Sequence, residues 1–358
     1  MKKTAVVLLN LGGPDSKKSI RPFLLNFFTD PNIIRLPYPL RIVIANLIAW
    51  RRSRREAGNS YGELGDKSPL LENSNQQAIA LEGVLSGAQD TDYKTFVCMR
   101  YWHPMSDEVV QQVKLWGADS VILLPLYPQY STTTTRSSYQ VWMRAAQKAG
   151  LKAQTKLICC YPEQNGFVSA SAANIKTVYD KALLETGMEP RILMSAHGLP
   201  EDVVKDGDPY AWQCRQSAEQ IIKLTTIKNP DWTMCFQSRV GPKKWLEPST
   251  EQELERAAKD GVPVVILPHA FTQEHVETLV EIEIEYREVA DHLGVPGFYR
   301  IPTVGTHPDF IRGLADMVLS AEEKPTVAPN TGKRICPDSF RRCAMQQYGC
   351  KTSCGCGA

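Results

Sequence analysis

Ser120–Thr135 reads SVILLPLYPQYSTTTT, and Pro263–Thr278, offset by 143 residues, reads PVVILPHAFTQEHVET. Pro125 falls on Pro268 in this pairing. Each copy begins with a short apolar run bounded by proline, which reads as a buried strand. Upstream, each has a short strand, a proline-containing loop (Tyr101-Trp102-His103-Pro104 in one, Val240-Gly241-Pro242 in the other), a helical stretch and a glycine. A second pairing, in the same order, sets Val7–Pro14 (VLLNLGGP) over Leu193–Pro200 (LMSAHGLP) at an offset of 186, with Leu11 on His197 and Gly12 on Gly198. Two matches in one order point to two related lobes.

Further apolar runs at Phe96–Met99, Lys156–Cys160, Ile192–Ala196 and Thr233–Phe236 alternate with helical patterns at Asp107–Leu115, Ala211–Leu224, Glu251–Ala258 and His275–His292. Strands alternating with helices predict an α/β fold with parallel sheets. We expect one lobe over 1–150, a second over 151–322 and a Cys-rich tail over 323–358. In such sheets ligands sit beyond the C-terminal strand ends. If the lobes face a central cleft, one wall offers Leu11, Thr132 and Thr134, and the other His197, His275 and Glu277. An apolar and hydroxyl wall opposite imidazole and carboxylate suits a flat apolar ligand and a cation.

Composition narrows the function. With 358 residues, 43% hydrophobic and 22% charged, the chain is an ordinary globular protein. Its 41 Lys and Arg against 39 Asp and Glu leave +2, which speaks against a nucleic-acid binder. No apolar stretch is long enough to span a membrane. The start, Met1-Lys2-Lys3 and then Ala5–Leu11, runs into Gly12-Gly13-Pro14 without a cleavage site and reads as a strand and a turn, so a cytoplasmic location is expected. Gly12-Gly13-Pro14 is neither GxGxxG nor a Walker motif. With ten cysteines and no export signal, disulfides are disfavoured.

His197, at a strand end and followed by Gly198, is placed for acid–base chemistry or metal ligation; the plainer reading is a turn histidine bonded to a carbonyl. The repeat favours the first. Glu274, Glu277, Glu281, Glu285 and Glu288 recur at steps of three, four, four and three, one stripe of a helix. A solvated face would normally interleave Lys or Arg, and this stripe has none. It reads as a path for a divalent cation. His275 and Glu277 are two apart and do not share the stripe; a distorted first turn, such as a π-bulge, would still bring both to the cleft. Ile33–Trp50 is apolar and is followed by Arg51, Arg52, Arg54 and Arg55. That is a membrane-surface contact or a lip over an anionic apolar ligand, or else a covered helix with a solvated end. In the tail, Cys336, Cys343, Cys350, Cys354 and Cys356 follow no zinc-finger spacing. Four thiolates would hold a [2Fe–2S] cluster or a zinc; otherwise the tail is disordered.

Taken together, Leu8–Pro14, Arg100–Pro104, Leu126–Thr135, Ser195–Pro200 (SAHGLP), Gln237–Trp245 (QSRVGPKKW) and Phe271–Tyr286 (FTQEHVETLVEIEIEY) resemble the ferrochelatases, enzymes that insert ferrous iron into a porphyrin to make haem. The resemblance implies two Rossmann-like lobes, which agrees with the repeat. It implies that His197 is the essential histidine and Glu277 its partner carboxylate, with His275, Glu281 and Glu285 in an acidic relay. The implied metal ligands are His197, Glu277, Glu281 and Glu285, and the implied catalytic groups His197, Glu277 and His275. Leu11, Ser68, Arg100, Tyr101, Tyr130 and Trp245 match porphyrin-binding positions. The lip arginines match less well. Some relatives carry a [2Fe–2S] cluster; Cys336 and Cys343 fit the spacing of bacterial ones. Cys350 and Cys160, with Cys159 as the alternative to Cys160, would complete the set, and Cys350, Cys354 and Cys356 are the alternative trio.

A planar porphyrin holds two N–H protons where the metal must go. The expected chemistry is therefore proton removal by His197 beside Glu277 and His275, which hand over Fe²⁺, on a ring strained by remote contacts. The implied substrates are Fe²⁺ and protoporphyrin IX, with coproporphyrin III as the alternative. A non-catalytic tetrapyrrole carrier would need no acidic relay, and a sirohydrochlorin-type chelatase would need more basic residues. The expected partners are a membrane surface, touched peripherally, and a second copy of the chain in a homodimer; none is a nucleic acid.

Overall fold

The computed structural model describes residues 1–56, 61–88, 90–239 and 241–349, excepting the side chains of Arg55 and Glu56. Among the described residues nine strands run in chain order: β1 (Lys2–Asn10), β2 (Thr91–Met99), β3 (Ser120–Pro125), β4 (Gln154–Ile158), β5 (Arg191–His197), β6 (Trp232–Gln237), β7 (Val264–Pro268), β8 (Phe298–Arg300) and β9 (Val327–Ala328). The chain divides into two compact units. The first holds Met1–Cys160, Leu314–Ile335 and the described residues from Ala344 on; the second holds Tyr161–Gly313 and Cys336–Cys343.

The first unit carries a sheet of order β2-β1-β3-β4-β9, the second a sheet of order β6-β5-β7-β8. Every pairing is parallel. Leaving out β9, each sheet places its second strand, first strand, third strand and fourth strand side by side in that order. The sequence repeat thus reappears as topology. It also reappears as a hydrogen bond. Leu126 donates its N–H to the Leu9 carbonyl at 2.8 Å, and His269 donates to the Ser195 carbonyl at 2.7 Å. The donors are 143 residues apart and the acceptors 186, the two offsets of the repeat.

The prolines pair differently from the sequence reading. Met99 donates to the Pro104 carbonyl at 2.7 Å, and the corresponding bond in the second unit runs from Phe236 to Pro248 at 2.9 Å, so Pro248 rather than Pro242 matches Pro104. The reason is local. Both acceptors sit just before a helix, Ser106–Trp116 in one unit and Thr250–Asp260 in the other. Ser249 and Gln252 close a capping box at the start of the second. Pro242 lies earlier, in an exposed excursion of the same loop.

Central strands make the cores. Ala5–Leu9 of β1 is buried on both faces, which its unbroken apolar run requires. In the first unit Val7, Leu9, Val121 and Leu123 pack with Trp142 and Tyr139 of the helix Thr135–Ala149. Ala344 and Tyr348 of the helix Ala344–Tyr348 close that core. In the second, Leu193, Val264 and Ile266 pack with Leu254, Ile282 and Tyr286. The helical pattern expected over His275–His292 takes an unusual form, a ten-residue π-helix, Glu277–Tyr286, continued by an α-helix, Arg287–Leu293.

Candidate active site

The second unit brings His197 and Glu277 together. His197 is the last residue of β5, and its Nδ1 lies 3.0 Å from Glu277 Oε2. Their side chains keep 38% and 26% of their surface open, enough for a reactant to reach them. A carboxylate at Nδ1 takes that nitrogen's proton as a hydrogen bond, so Nε2 carries the lone pair.

His275 joins them from the turn before the π-helix. The Glu277 N–H donates to His275 Nδ1 at 3.0 Å. Burial pushes His275 below the usual imidazole value, against the pull of Glu277 and Glu274. A neutral imidazole that accepts at Nδ1 carries its proton on Nε2. His275 therefore offers a donor there, not a metal ligand. Phe271 packs edge-on against the same ring at 4.5 Å.

The π-helix sorts the acidic stripe. Glu281 faces β6: Gln237 Nε2 donates to its Oε2 at 3.1 Å, Ser238 Oγ at 2.5 Å, and Tyr286 donates to Oε1 at 3.2 Å. Burial and the neighbouring Glu277 charge raise the Glu281 carboxyl, while Ser238, His197 and Gln237 pull it back. Glu285 is exposed. Glu274 leaves the stripe: Arg300 pairs with it at 2.9 Å, and Thr303 N and Thr278 Oγ1 donate to it. Burial alone would raise its pKa, but Arg300 and these donors hold it below the ordinary range. Glu283, off the stripe, is spent on Arg287 and Arg300.

Trp245 reaches this site through the backbone. Leu246 donates to the Leu199 carbonyl at 3.0 Å, and Gly198 donates to the Gln237 carbonyl at 2.9 Å. These bonds lay the Trp245 ring against Gly198, beside His197.

In the first unit, Ser68 fills the space over Gly13, so it and Leu11 border one turn after β1. Ser68 N donates to the Pro14 carbonyl at 2.8 Å. Arg100 and Tyr101 converge on Asp30, a residue the sequence reading missed. Arg100 donates to Asp30 Oδ2 at 2.8 Å and to Ser137 Oγ at 2.6 Å, Tyr101 donates at 2.7 Å, and Ser137 also bonds Asp30. Burial would raise the Asp30 carboxyl, but Arg100, Ser137 and their neighbours keep it low. Tyr101 is 0% exposed and Tyr130 is also buried, so neither presents a surface to a ligand in this state. Only Asp30's place in a turn far along the chain from Arg100 hid it; Gln237 and Ser238 stood inside a quoted motif without a role.

The cysteine set is partly in view. Cys336 and Cys343 are buried in the second unit, with Gln213 Nε2 at 3.2 Å from Cys336 Sγ. Cys159 and Cys160 are buried in the first, their sulfurs 4.0 Å apart. Cys350, Cys354 and Cys356 lie outside the described residues. Among the described residues no three His, Cys, Asp or Glu side chains form a metal-holding group.

The family profile Ferrochelatase matches residues 3–322. Ferrochelatase of Wolbachia sp. subsp. Drosophila simulans (strain wRi) is 50% identical over 319 residues, covering 89% of this chain and 99% of that protein. Ferrochelatase of Rickettsia bellii (strain OSU 85-389) is 43% identical over 347 residues, covering 96% and 95%. The solved structure of SirB from Bacillus subtilis with Fe3+ matches with a TM-score of 0.51 at 13% identity, covering 90% of this chain and 96% of that one, a likeness of fold alone. With the profile spanning most of its length and a relative at half identity, the chain belongs to the ferrochelatase family.

Proposed function

We propose that this chain inserts ferrous iron into a dicarboxylate porphyrin, protoporphyrin IX, to form haem, with His197 as the base. Family membership makes it a metal-inserting lyase. The observation that carries the residue roles is the His197–Glu277 pair at 3.0 Å. With Nδ1 donating to Glu277, His197 Nε2 takes the two pyrrole protons in turn and passes each to solvent, and the carboxylate stabilises the imidazolium that forms each time. His275, protonated at Nε2, fixes the start of the π-helix through Glu277 N and donates rather than ligates. Glu281 and Glu285, with Glu277, pass Fe²⁺ as carboxylate ligands suited to a hydrated divalent cation.

Leu11 and Trp245 are our candidates for apolar contacts with the macrocycle. Ser68 and Arg100 are candidates for a propionate, with Tyr101 beside Arg100 on Asp30; Tyr130 is assigned to the porphyrin by the family resemblance alone. Fe²⁺ and protoporphyrin, incubated with the protein under reducing conditions, should lose porphyrin fluorescence faster than a protein-free control. An equal rate in both removes the reading. Coproporphyrin III, run in parallel, should turn over more slowly.

A [2Fe–2S] cluster is proposed for the cysteines. Its support is two buried thiols, Cys336 and Cys343, in one short segment. Bound there, a cluster would supply stability or redox sensing, and no step of iron insertion is routed through it. Colourless protein after anaerobic purification, without acid-labile sulfide, removes the proposal.

Peripheral membrane association is proposed for the helix Tyr38–Glu56. Leu40, Val43, Leu47 and Trp50 are exposed along it at steps of three, four and three, and Arg51, Arg52 and Arg54 follow. No helix among the described residues is long and apolar enough to cross a membrane.

A further inference from the structure

We propose that Ser238 and Gln237 are positioning residues that aim the Glu281 carboxylate, so that the end of β6 sets how iron reaches Glu277. The inference rests on the reading of Glu277 and Glu281 as iron-handling groups.

Two observations carry it. The first is a backbone oddity. Ser238 stands at φ 64°, in the left-handed region. Glycine adopts that conformation freely and serine does so at a cost. Three residues later, Gly241 stands at φ 74° with glycine in place. A serine held where glycine would be easier is retained for its side chain. That side chain has one evident use, for its Oγ donates to Glu281 Oε2 at 2.5 Å.

The second is a directed chain of hydrogen bonds behind Gln237. Gln237 is 1% exposed at the end of β6. Ser195 Oγ donates to Gln237 Oε1 at 2.9 Å, and Thr250 Oγ1 backs Ser195 at 3.0 Å. With its oxygen engaged, the amide must turn Nε2 toward Glu281, 3.1 Å away. A side-chain amide has no other way to satisfy both ends. Ser195, moreover, stands two residues before His197, so one strand holds the base and orients the amide that orients the acid. Two donors on one carboxylate oxygen fix its rotamer, the condition for a group that must meet a ligand in a set geometry.

The test is substitution with steady-state kinetics, in the full chain. Ser238→Gly removes the hydroxyl and relieves the backbone. It should keep or raise the melting temperature while raising KM for Fe²⁺ roughly tenfold, the scale of one charge-assisted hydrogen bond. KM for porphyrin should not move. Glu281→Gln should give the same KM split, and Ser238→Gly combined with Glu281→Gln should be no worse than Glu281→Gln alone. Ser238→Gly with an unchanged KM for Fe²⁺, beside an affected Glu281→Gln, overturns the positioning role and spares the iron path. Glu281→Gln with no effect on iron overturns both. A lowered melting temperature with both KM values raised alike assigns Ser238 to the framework and overturns the proposal.

Discussion

The Trp245 ring lies over Gly198, the residue that follows His197, so closely that a Cβ on Gly198 would stand 3.1 Å from it and 2.9 Å from the Gln237 carbonyl oxygen. Neither neighbour is a flexible tip. Gly198→Ala is expected to push the ring and the β6 end away from His197 at a cost of about 1–3 kcal/mol. Thermal melting should show a lower midpoint, and turnover should fall further than stability alone explains. A variant with wild-type melting and wild-type kcat would show that the loop yields without consequence.

His197→Ala is expected to remove turnover by roughly 10²–10⁴-fold, the worth of general acid–base assistance. Porphyrin affinity, measured by fluorescence titration, should stay near that of the unaltered protein, because ring contacts supply it. Near-normal turnover in a folded variant rejects His197 as the base.

Glu281→Gln and Glu285→Gln are both expected to raise KM for Fe²⁺ more than KM for porphyrin. The structure ranks them. Glu281 is held by three donors and sits beside Glu277, whereas Glu285 is exposed. The Glu281 change should be the larger. Equal effects on the two substrates would give the stripe a structural role.

The sheets and the pairing of lobes were legible in the sequence, because strands buried on both faces, such as β1 and β7, write themselves as unbroken apolar runs. β8 and β9 were not legible: Phe298–Arg300 and Val327–Ala328 are too short to show a period. His197, Glu277 and Glu281 could be picked out by residue type and spacing. What spacing could not show was which carboxylates a cation from elsewhere in the chain neutralises. Glu274 looked like a member of the stripe until Arg300 was seen beside it. The π-helix was foreseen only as a local irregularity, since its length depends on backbone bonding that no residue type announces.

Stability should depend on pH through His269. This imidazole is buried; its Nε2 lies 2.8 Å from Ser217 Oγ and 2.9 Å from the Cys214 carbonyl oxygen. Burial depresses its pKa from 6.5 to about 4, against the Cys214 bond. Between those values the unfolded chain binds the proton and the folded chain refuses it. The contribution is complete above pH 6.5 and is lost as pH falls toward 4, by up to about 1.4 kcal/mol per unit. Melting temperatures taken across that window should fall with acid, and His269→Gln should flatten the fall. An unchanged slope in the variant would assign the acid sensitivity elsewhere.

Vesicles should distinguish the uses of the helix Tyr38–Glu56. Sedimentation with anionic phospholipid vesicles at low salt should carry the protein down, and Leu47→Glu with Val43→Glu should release it. Binding that survives both changes removes this helix as the contact. A doubled mass in solution that the same changes abolish would instead make the row a seam between two copies of the chain.

The hydrogen bond that passes from Leu126 to Leu9 and again from His269 to Ser195 puts equivalent strand ends of the two units in the same register. Two residues beyond each acceptor, one unit has Leu11 and the other His197. One backbone arrangement thus presents an aliphatic side chain in one unit and an imidazole in the other, and the scaffold is indifferent to which of them it carries.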